Sequence, residues 1–302
     1  MMKTTFEEIV DVSRIGSVNK RGLNELMVLA STEKMTPSRA DVEKVLFMGI
    51  DFQNDFMEKG ELGVPNSHKD VERVTRFLYQ NLDKVTTIAL SLDTHELHQI
   101  FHPSWWVDAE GNHPVPFTVI TREDVEKGKW MAVEKQQESL SYIIHLERLG
   151  KKQLLIWSYH CIEGTHGAAL EGQFSNMVHF HSLIRQSNIQ KIVKGQDPLS
   201  EMYGIIKPEY AKTDGTNYAF LHSLLTYDKI VIAGEAKSHC VLESVRQIVE
   251  YYGEKHELPP KIYLLEDCMS PIPGFEESTE HAFIELQKNY GIHIVKSTEF
   301  TL

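Results

Sequence analysis

The stretch KIVIAGEAKSHCVLESVRQIVEYY, residues 229–252, decides the fold. It opens with a short apolar, β-branched run ending at Glu235, passes through a tight polar turn, and continues as VLESVRQIVEYYG with apolar residues at helical spacing. Strand, turn and helix in this order form the repeating unit of a parallel sheet covered by helices. Working outward, runs of the same kind appear at VLFMGID (45–51), VTTIALSLD (85–93), KQLLIWS (152–158), IQKIVKG (189–195) and KIYLLED (261–267). Near-continuous Val/Ile/Leu runs suit strands buried on both faces. A second clear helical pattern, VERVTRFLYQNL (71–82), precedes the 85–93 run. Together these predict an α/β fold, three-layered and doubly wound around a mostly parallel six-stranded sheet.

Composition agrees. The 302 residues are 41% hydrophobic and 25% charged, an ordinary globular balance. A net charge of -12 argues against nucleic acid as a partner, because phosphate binding needs a basic stripe. The N-terminal MMKTTFEEIVDVSRIG has no signal-peptide pattern, and no apolar run approaches the ~20 residues that span a membrane. Three cysteines without a CxxC pair suggest neither a disulfide framework nor a thiolate zinc site, so a reducing cytoplasm is expected. Residues 1–44 read as an N-terminal extension, a cap or an oligomer arm, ahead of a domain over 45–302. Within that domain about 103–150, with its PSWWVDAEGNHPVPF stretch, is too long for a simple loop and reads as an insertion with its own structure. There PSWW could form a lid wall or a small core. FSNMVHFHSLIRQSN (174–188) reads as an ordinary amphipathic helix.

The runs end at or next to charged residues: Asp51, Asp93, Lys194, Glu235 and Asp267, with His160 just beyond the 152–158 run. In open α/β sheets ligands bind beyond the carboxyl ends of the strands, so chemistry is sought there. Cys240 falls in the first turn of the helix that starts this reading. Free N–H groups and partial positive charge at a helix start lower a thiol pKa and can hold an oxyanion. A buried structural thiol is the plainer reading of any one cysteine. Asp51, alone, would be a turn cap, and Lys194, alone, a solvated head group on a buried stem. Taken together, Asp51 would accept the thiol proton and Lys194 would keep Asp51 ionised.

A second cluster is DTHELHQIFH (93–102), with His160 further on. Asp93 and His95 lie two residues apart at an extended strand end and so point to one side. Carboxylate and imidazole suit a divalent metal, Zn with Fe or Mn as alternatives; surface histidines on a turn are the competing reading.

These motifs resemble the nicotinamidase and isochorismatase-like cysteine hydrolases: GIDFQNDF with ELGVP after it, SLDTH, IWSYHCIEGTHGAAL, IVKG and GEAKSHC, in the family's order from about residue 45 to about 270. The resemblance implies Cys240 as nucleophile with Asp51 and Lys194, a cis peptide between Glu235 and Ala236, and oxyanion donors at the backbone N–H groups of Ala236 and Cys240. It implies metal ligands at Asp93, His95 and His160. A further ligand expected about six residues after Asp93 meets Gln99, flanked by His98 and His102; His102 is favoured. Phe56 and Trp157 fall where the family clamps a planar ring, with Gln53 also at the substrate; core packing is the alternative reading for both aromatics. Cys161 and Cys268 read as structural.

The function so implied is hydrolysis of nicotinamide or a similar small carboxamide through a Cys240 thioester, with a metal orienting the substrate. Alternatives are a metal-free isochorismatase-like or N-carbamoyl hydrolase, and a non-catalytic binding or regulatory protein on the same scaffold. The expected partner is a small molecule, with neither nucleic acid nor membrane, and a homo-oligomer is left open.

Overall fold

The Val/Ile/Leu-rich runs become the middle of the molecule in the computed structural model of the protein, which describes residues 2–150 and 153–302. The strands are β1 (Val45–Ile50), β2 (Thr87–Asp93), β3 (Trp106–Val107), β4 (Val119–Ile120), β5 (Met131–Ala132), β6 (Leu154–Leu155), β7 (Gln190–Lys194), β8 (Lys229–Gly234), β9 (Ile262–Leu265) and β10 (His293–Val295). The helices are α1 (Phe6–Ile9), α2 (Leu23–Ser31), α3 (Ser67–Gln80), α4 (Arg122–Glu126), α5 (Gln136–Leu149), α6 (Gly172–Arg185), α7 (Tyr218–Leu224), α8 (Leu242–Tyr252) and α9 (Glu276–Tyr290). Among the described residues no helix is long and apolar enough to cross a membrane.

Six strands form one sheet in the order β10-β9-β8-β1-β2-β7, and every pairing in it is parallel. Side chains alternate across it. Val45 and Phe47 of β1 join a core with α3 and α6, whereas Leu46, Met48 and Ile50 join a second core with α7, α8 and α9. Helices on both faces of a buried sheet give the expected three layers. From β1 the chain builds outward through β2 and β7, then returns to lay β8 on the other side of β1. The β1–β8 boundary is therefore where the winding direction reverses, and the carboxyl ends of the strands leave a crevice there.

One expectation needs correction. The 152–158 run does not enter the sheet. Lys152 lies outside the described residues, and the rest contributes only β6, which pairs antiparallel with β4 of the insertion. Its backbone is drawn away: Ile156 N donates to Thr118 O at 2.9 Å and Trp157 N to Phe101 O at 2.8 Å. The sixth strand is instead β10, three half-exposed edge residues beside β9 whose pattern is too short to stand out. Within residues 103–150, β3 and β5 pair beside α5. The tryptophans there form a small core: Trp105 and Trp106 are fully buried, and their indole N–H groups donate to Ser139 Oγ at 3.0 Å and Ile100 O at 2.7 Å.

Residues 2–44 lie on the molecule rather than apart from it. Phe6, Ile9, Leu26 and Ala30 enter the same core as β1, with α1 and α2 against α6. That cover explains why α6 is buried well beyond one amphipathic stripe, from Phe174 and Met177 round to His181 and Arg185. Glu171, at the N-cap of α6, accepts from Gln173 N and Phe174 N at 2.8 Å and from Gly16 N at 3.0 Å, tying the extension to the helix.

Candidate active site

Each side chain at the crevice is placed by a strand end. Asp51 follows β1 and is fully buried, its backbone N donating to Ser91 Oγ at 3.0 Å while that hydroxyl donates to Asp51 Oδ1 at 2.5 Å. Asp93 and Lys194 end β2 and β7 and face each other in register. After β8 the chain makes the expected cis peptide between Glu235 and Ala236, then a wide π turn over Lys237–Val241 that carries Cys240 into α8. Gly234 is required at this corner: its φ is +149°, and a Cβ there would sit 2.1 Å from Ile50 O.

Lys194 is the hub. Its Nζ lies 2.9 Å from Asp51 Oδ2, 3.0 Å from Asp93 Oδ1 and 3.6 Å from Cys240 Sγ, and donates to Met202 O at 3.2 Å. Burial opposes its charge, but the two carboxylates outweigh burial and hold the ammonium well above the ordinary lysine value. Burial raises the Asp51 carboxyl despite Lys194. For Asp93 burial is overcome by His95 and Lys194, which keep it well below the ordinary range. The expectation of a depressed thiol is not met: burial pushes Cys240 well above the ordinary cysteine value, with Lys194 opposing and the two aspartates adding to the rise. Cys240 is therefore held as a neutral thiol beside a carboxylate of raised proton affinity.

On the other side of Asp93, His95 Nε2 lies 3.0 Å and His160 Nε2 3.7 Å from Asp93 Oδ2. The ligand atoms of Asp93, His95 and His160 all lie within 4.8 Å of one another. Their Nδ1 atoms are 3.0 Å from Gly195 O and 2.8 Å from Ser158 O, and a carbonyl can only accept, so Nδ1 carries the hydrogen in both rings. Two Nε2 lone pairs then converge on a carboxylate, and only a proton or a cation resolves that arrangement. Asp93 draws the His95 ring up in pKa against burial, the same attraction felt by a proton. One carboxylate and two imidazole nitrogens in this arrangement form a donor set that fits a divalent ion.

The remaining predicted residues divide. His102 is buried beside the trio, 5.8 Å from His95 and 6.4 Å from His160 between ring centroids; neither ring nitrogen has a hydrogen-bond partner among the described residues. Burial there lowers its pKa to about 3. His98 is exposed and turned to Ser104 and Glu134. Gln99 holds the loop after β7, donating to Gly195 O at 2.8 Å and Asp197 O at 3.2 Å. Gln53 clamps the end of β2, donating to Asp93 O at 2.7 Å and Ala168 O at 2.8 Å while accepting from Asp93 N at 2.7 Å. Its amide is thus committed to backbone. Cys161 and Cys268 are buried free thiols, as expected of structural residues.

Phe56 and Trp157 do line a narrow cleft with Cys240, Ala236, Asp93 and His160. Phe56 stands edge-on to His160 at 5.6 Å, and the Trp157 indole donates to Tyr203 Oη at 3.2 Å. Three lining residues, Glu201, Tyr203 and His239, went unread in the sequence. Only His239, next to Cys240, carried a local signal. Glu201 is a buried acid whose pKa burial raises and whose charge faces His95 and His160.

This geometry has counterparts among solved structures. A nicotinamidase/pyrazinamidase from Acinetobacter baumanii matches with a TM-score of 0.57 at 19% identity, covering 86% of this chain and 99% of that one. The yeast nicotinamidase Pnc1p bound to the inhibitor nicotinaldehyde matches at 0.57 and 18%, over 83% and 99%. PnC1 from L. infantum in complex with nicotinate matches at 0.54 and 17%, over 89% and 98%. The chain has the isochorismatase-like hydrolase fold. No family model matches it, and the comparison with curated proteins found no match. In an isochorismatase-like sheet, then, the crevice at the β1–β8 boundary holds a thiol, a lysine and two aspartates within reach of one another.

Proposed function

We propose that the chain is a cysteine amidohydrolase of small carboxamides, with residues 45–302 as its hydrolase domain and 1–44 as an extension. The observation that carries this is Lys194 Nζ in contact with the Cys240 thiol and with both carboxylates. Cys240 Sγ attacks the carboxamide carbon while its proton passes to Asp51. The oxyanion is held by the N–H groups of Ala236 and Cys240 at the start of the helical turn. Asp51 then gives its proton to departing ammonia, leaving a thioester. Water, losing a proton to Asp51, attacks the thioester; the C–S bond breaks, the acid leaves and Asp51 returns the proton to Cys240 Sγ.

Asp93, His95 and His160 would hold a divalent ion, zinc by preference, with His102 beside them. Such an ion, when bound, acts as a Lewis acid that orients a ring nitrogen of the substrate. Phe56 and Trp157 flank the place a planar ring would take. Nicotinamide is the first substrate to test, since similar structures are nicotinamidases. Purified protein is expected to release ammonia from it, and Cys240→Ala to lose at least about a thousandfold in kcat/KM while keeping its fold. Undiminished release by the variant would remove the thioester from the mechanism.

A further inference from the structure

A second pair of acids lies just behind the turn that carries the oxyanion donors. Glu235, the residue before the cis peptide, is fully buried, and Asp70, in the first turn of α3, is 1% exposed. The two carboxyl groups lie close enough for a hydrogen bond between them. The Ser270 hydroxyl also donates to the Asp70 carboxyl, yet Asp70 Oδ2 and Glu235 Oε1 find no standing donor among the described residues. Two carboxylates offer only acceptors, so that bond exists only if one of them carries a proton. The surroundings supply little positive charge. Arg73 reaches Asp70 at 3.9 Å from the surface side, and Asp267 adds a negative charge nearby. The Cys268 thiol, raised by burial, stays neutral, and Lys237 on Glu235's own turn pairs outward with Glu280.

The same residues fix the turn's backbone. Glu235 N donates to Ile50 O at 2.9 Å, Ser270 N to Glu235 Oε2 at 3.4 Å, and Lys237 N to Ser270 O at 2.8 Å. Ala236 sits between Glu235 and Lys237, so its N–H is aimed by whatever holds these two.

We propose that Asp70 and Glu235 share one proton and that this acid pair is a positioning device, clamping the 235–240 turn so that the Ala236 N–H faces the reacting carbonyl. The catalytic half of the proposal rests on the amidohydrolase reading; the clamp does not. Glu235 keeps the proton and donates it to an ionised Asp70, which explains why burial and Asp70 together raise Glu235 well above the ordinary range. With a raised folded-state pKa, the stability gained from the proton is full in acid and is lost as pH rises through that value. Glu235→Gln keeps a donor toward Asp70 but has no proton to lose.

Three measurements on the full chain test this. The wild-type Tm should fall on the alkaline side, and Glu235→Gln should remove part of that fall; parallel curves overturn the shared proton. Hydrogen exchange of the peptide covering 234–241 should quicken in Glu235→Ala and return toward wild type in Glu235→Gln. Unchanged exchange in the Ala variant overturns the clamp. In amide hydrolysis, Glu235→Ala should lower kcat about tenfold to a hundredfold with little change in KM, and Gln should recover most of the loss. A kcat untouched by Ala in an active wild type overturns the positioning role. An inactive wild type that still shows the Tm and exchange differences would refute the amidohydrolase reading and leave the acid pair standing.

Discussion

Two buried acid pairs flank the ends of neighbouring strands in this molecule, and they are neutralised by different means. Asp51 and Asp93 share a lysine, with Nζ 2.9 and 3.0 Å from their oxygens. Asp70 and Glu235 have no buried cation and must share a proton. An unpaired buried charge is costly, so each pair has to be balanced, but the choice of balancing group decides what the pair can do. A lysine balances the charge of the first pair and, in the proposed mechanism, leaves Asp51 able to take a proton from Cys240. A shared proton removes one of the pair's two charges and makes a tether that holds position and exchanges nothing with substrate.

The largest expected effect comes from removing the lysine. Lys194→Met leaves two buried carboxylates without a partner and is expected to destabilise the fold by about 3–5 kcal/mol, measured by urea unfolding, and to abolish turnover. The comparison can be broken further with a double variant. If charge balance is the issue, Lys194→Met with Asp51→Asn should regain much of the lost stability and none of the activity, because one negative charge leaves with the positive one. A double variant no more stable than Lys194→Met would show that Lys194 acts through packing instead.

What was legible in the sequence follows the same division. Asp51, Asp93 and Lys194 each sit at the end of an apolar run, where a charge has no plain packing explanation, and Cys240 stands in the first turn of the helix that follows such a run. The sheet was readable because its central strands are buried on both faces and so are nearly all apolar, as β1 shows. The 152–158 run carries the same apolar signal but spends its backbone on the insertion. Periodicity reports burial and not the partner. β10 failed in the opposite way, as a half-exposed edge with too few residues to show a pattern. Asp70 and Glu235 were invisible as a pair, since 165 positions separate an ordinary helix-start acid from a polar turn residue and only the fold brings them together. The thiol was misjudged because a helix start is readable locally, whereas two neighbouring aspartates and full burial are not.

A smaller effect probes the metal side of the lysine cluster. Gly195 has φ +80°, and a Cβ there would lie 2.6 Å from both Asp93 Oδ1 and the His95 ring. Gly195→Ala is therefore expected to cost about 1–3 kcal/mol from backbone strain and crowding together. By turning the His95 ring it should also weaken zinc affinity about tenfold, read by competition with a chromogenic chelator. Unchanged affinity would separate His95 from the metal.

The smallest effect is also the sharpest contrast between the two pairs, because they answer acid in opposite directions. Asp93 is held well below the ordinary carboxylate value of 3.8, so what it contributes is present above that value and is lost as pH falls through its lowered pKa. Asp70 is raised by burial from 3.8 to about 6, so its contribution is full below 3.8 and is lost as pH rises through about 6. The wild-type Tm should therefore carry a downward component between pH 4 and 6 that belongs to Asp70. Asp70→Asn cannot ionise and keeps an amide oxygen to accept from Glu235, so it should flatten that window by ~3 °C while leaving the acid limb set by Asp93 in place. If the variant shifted the acid limb instead, the two pairs would be one electrostatic unit, and the lysine and the proton would not be separate solutions to the same problem.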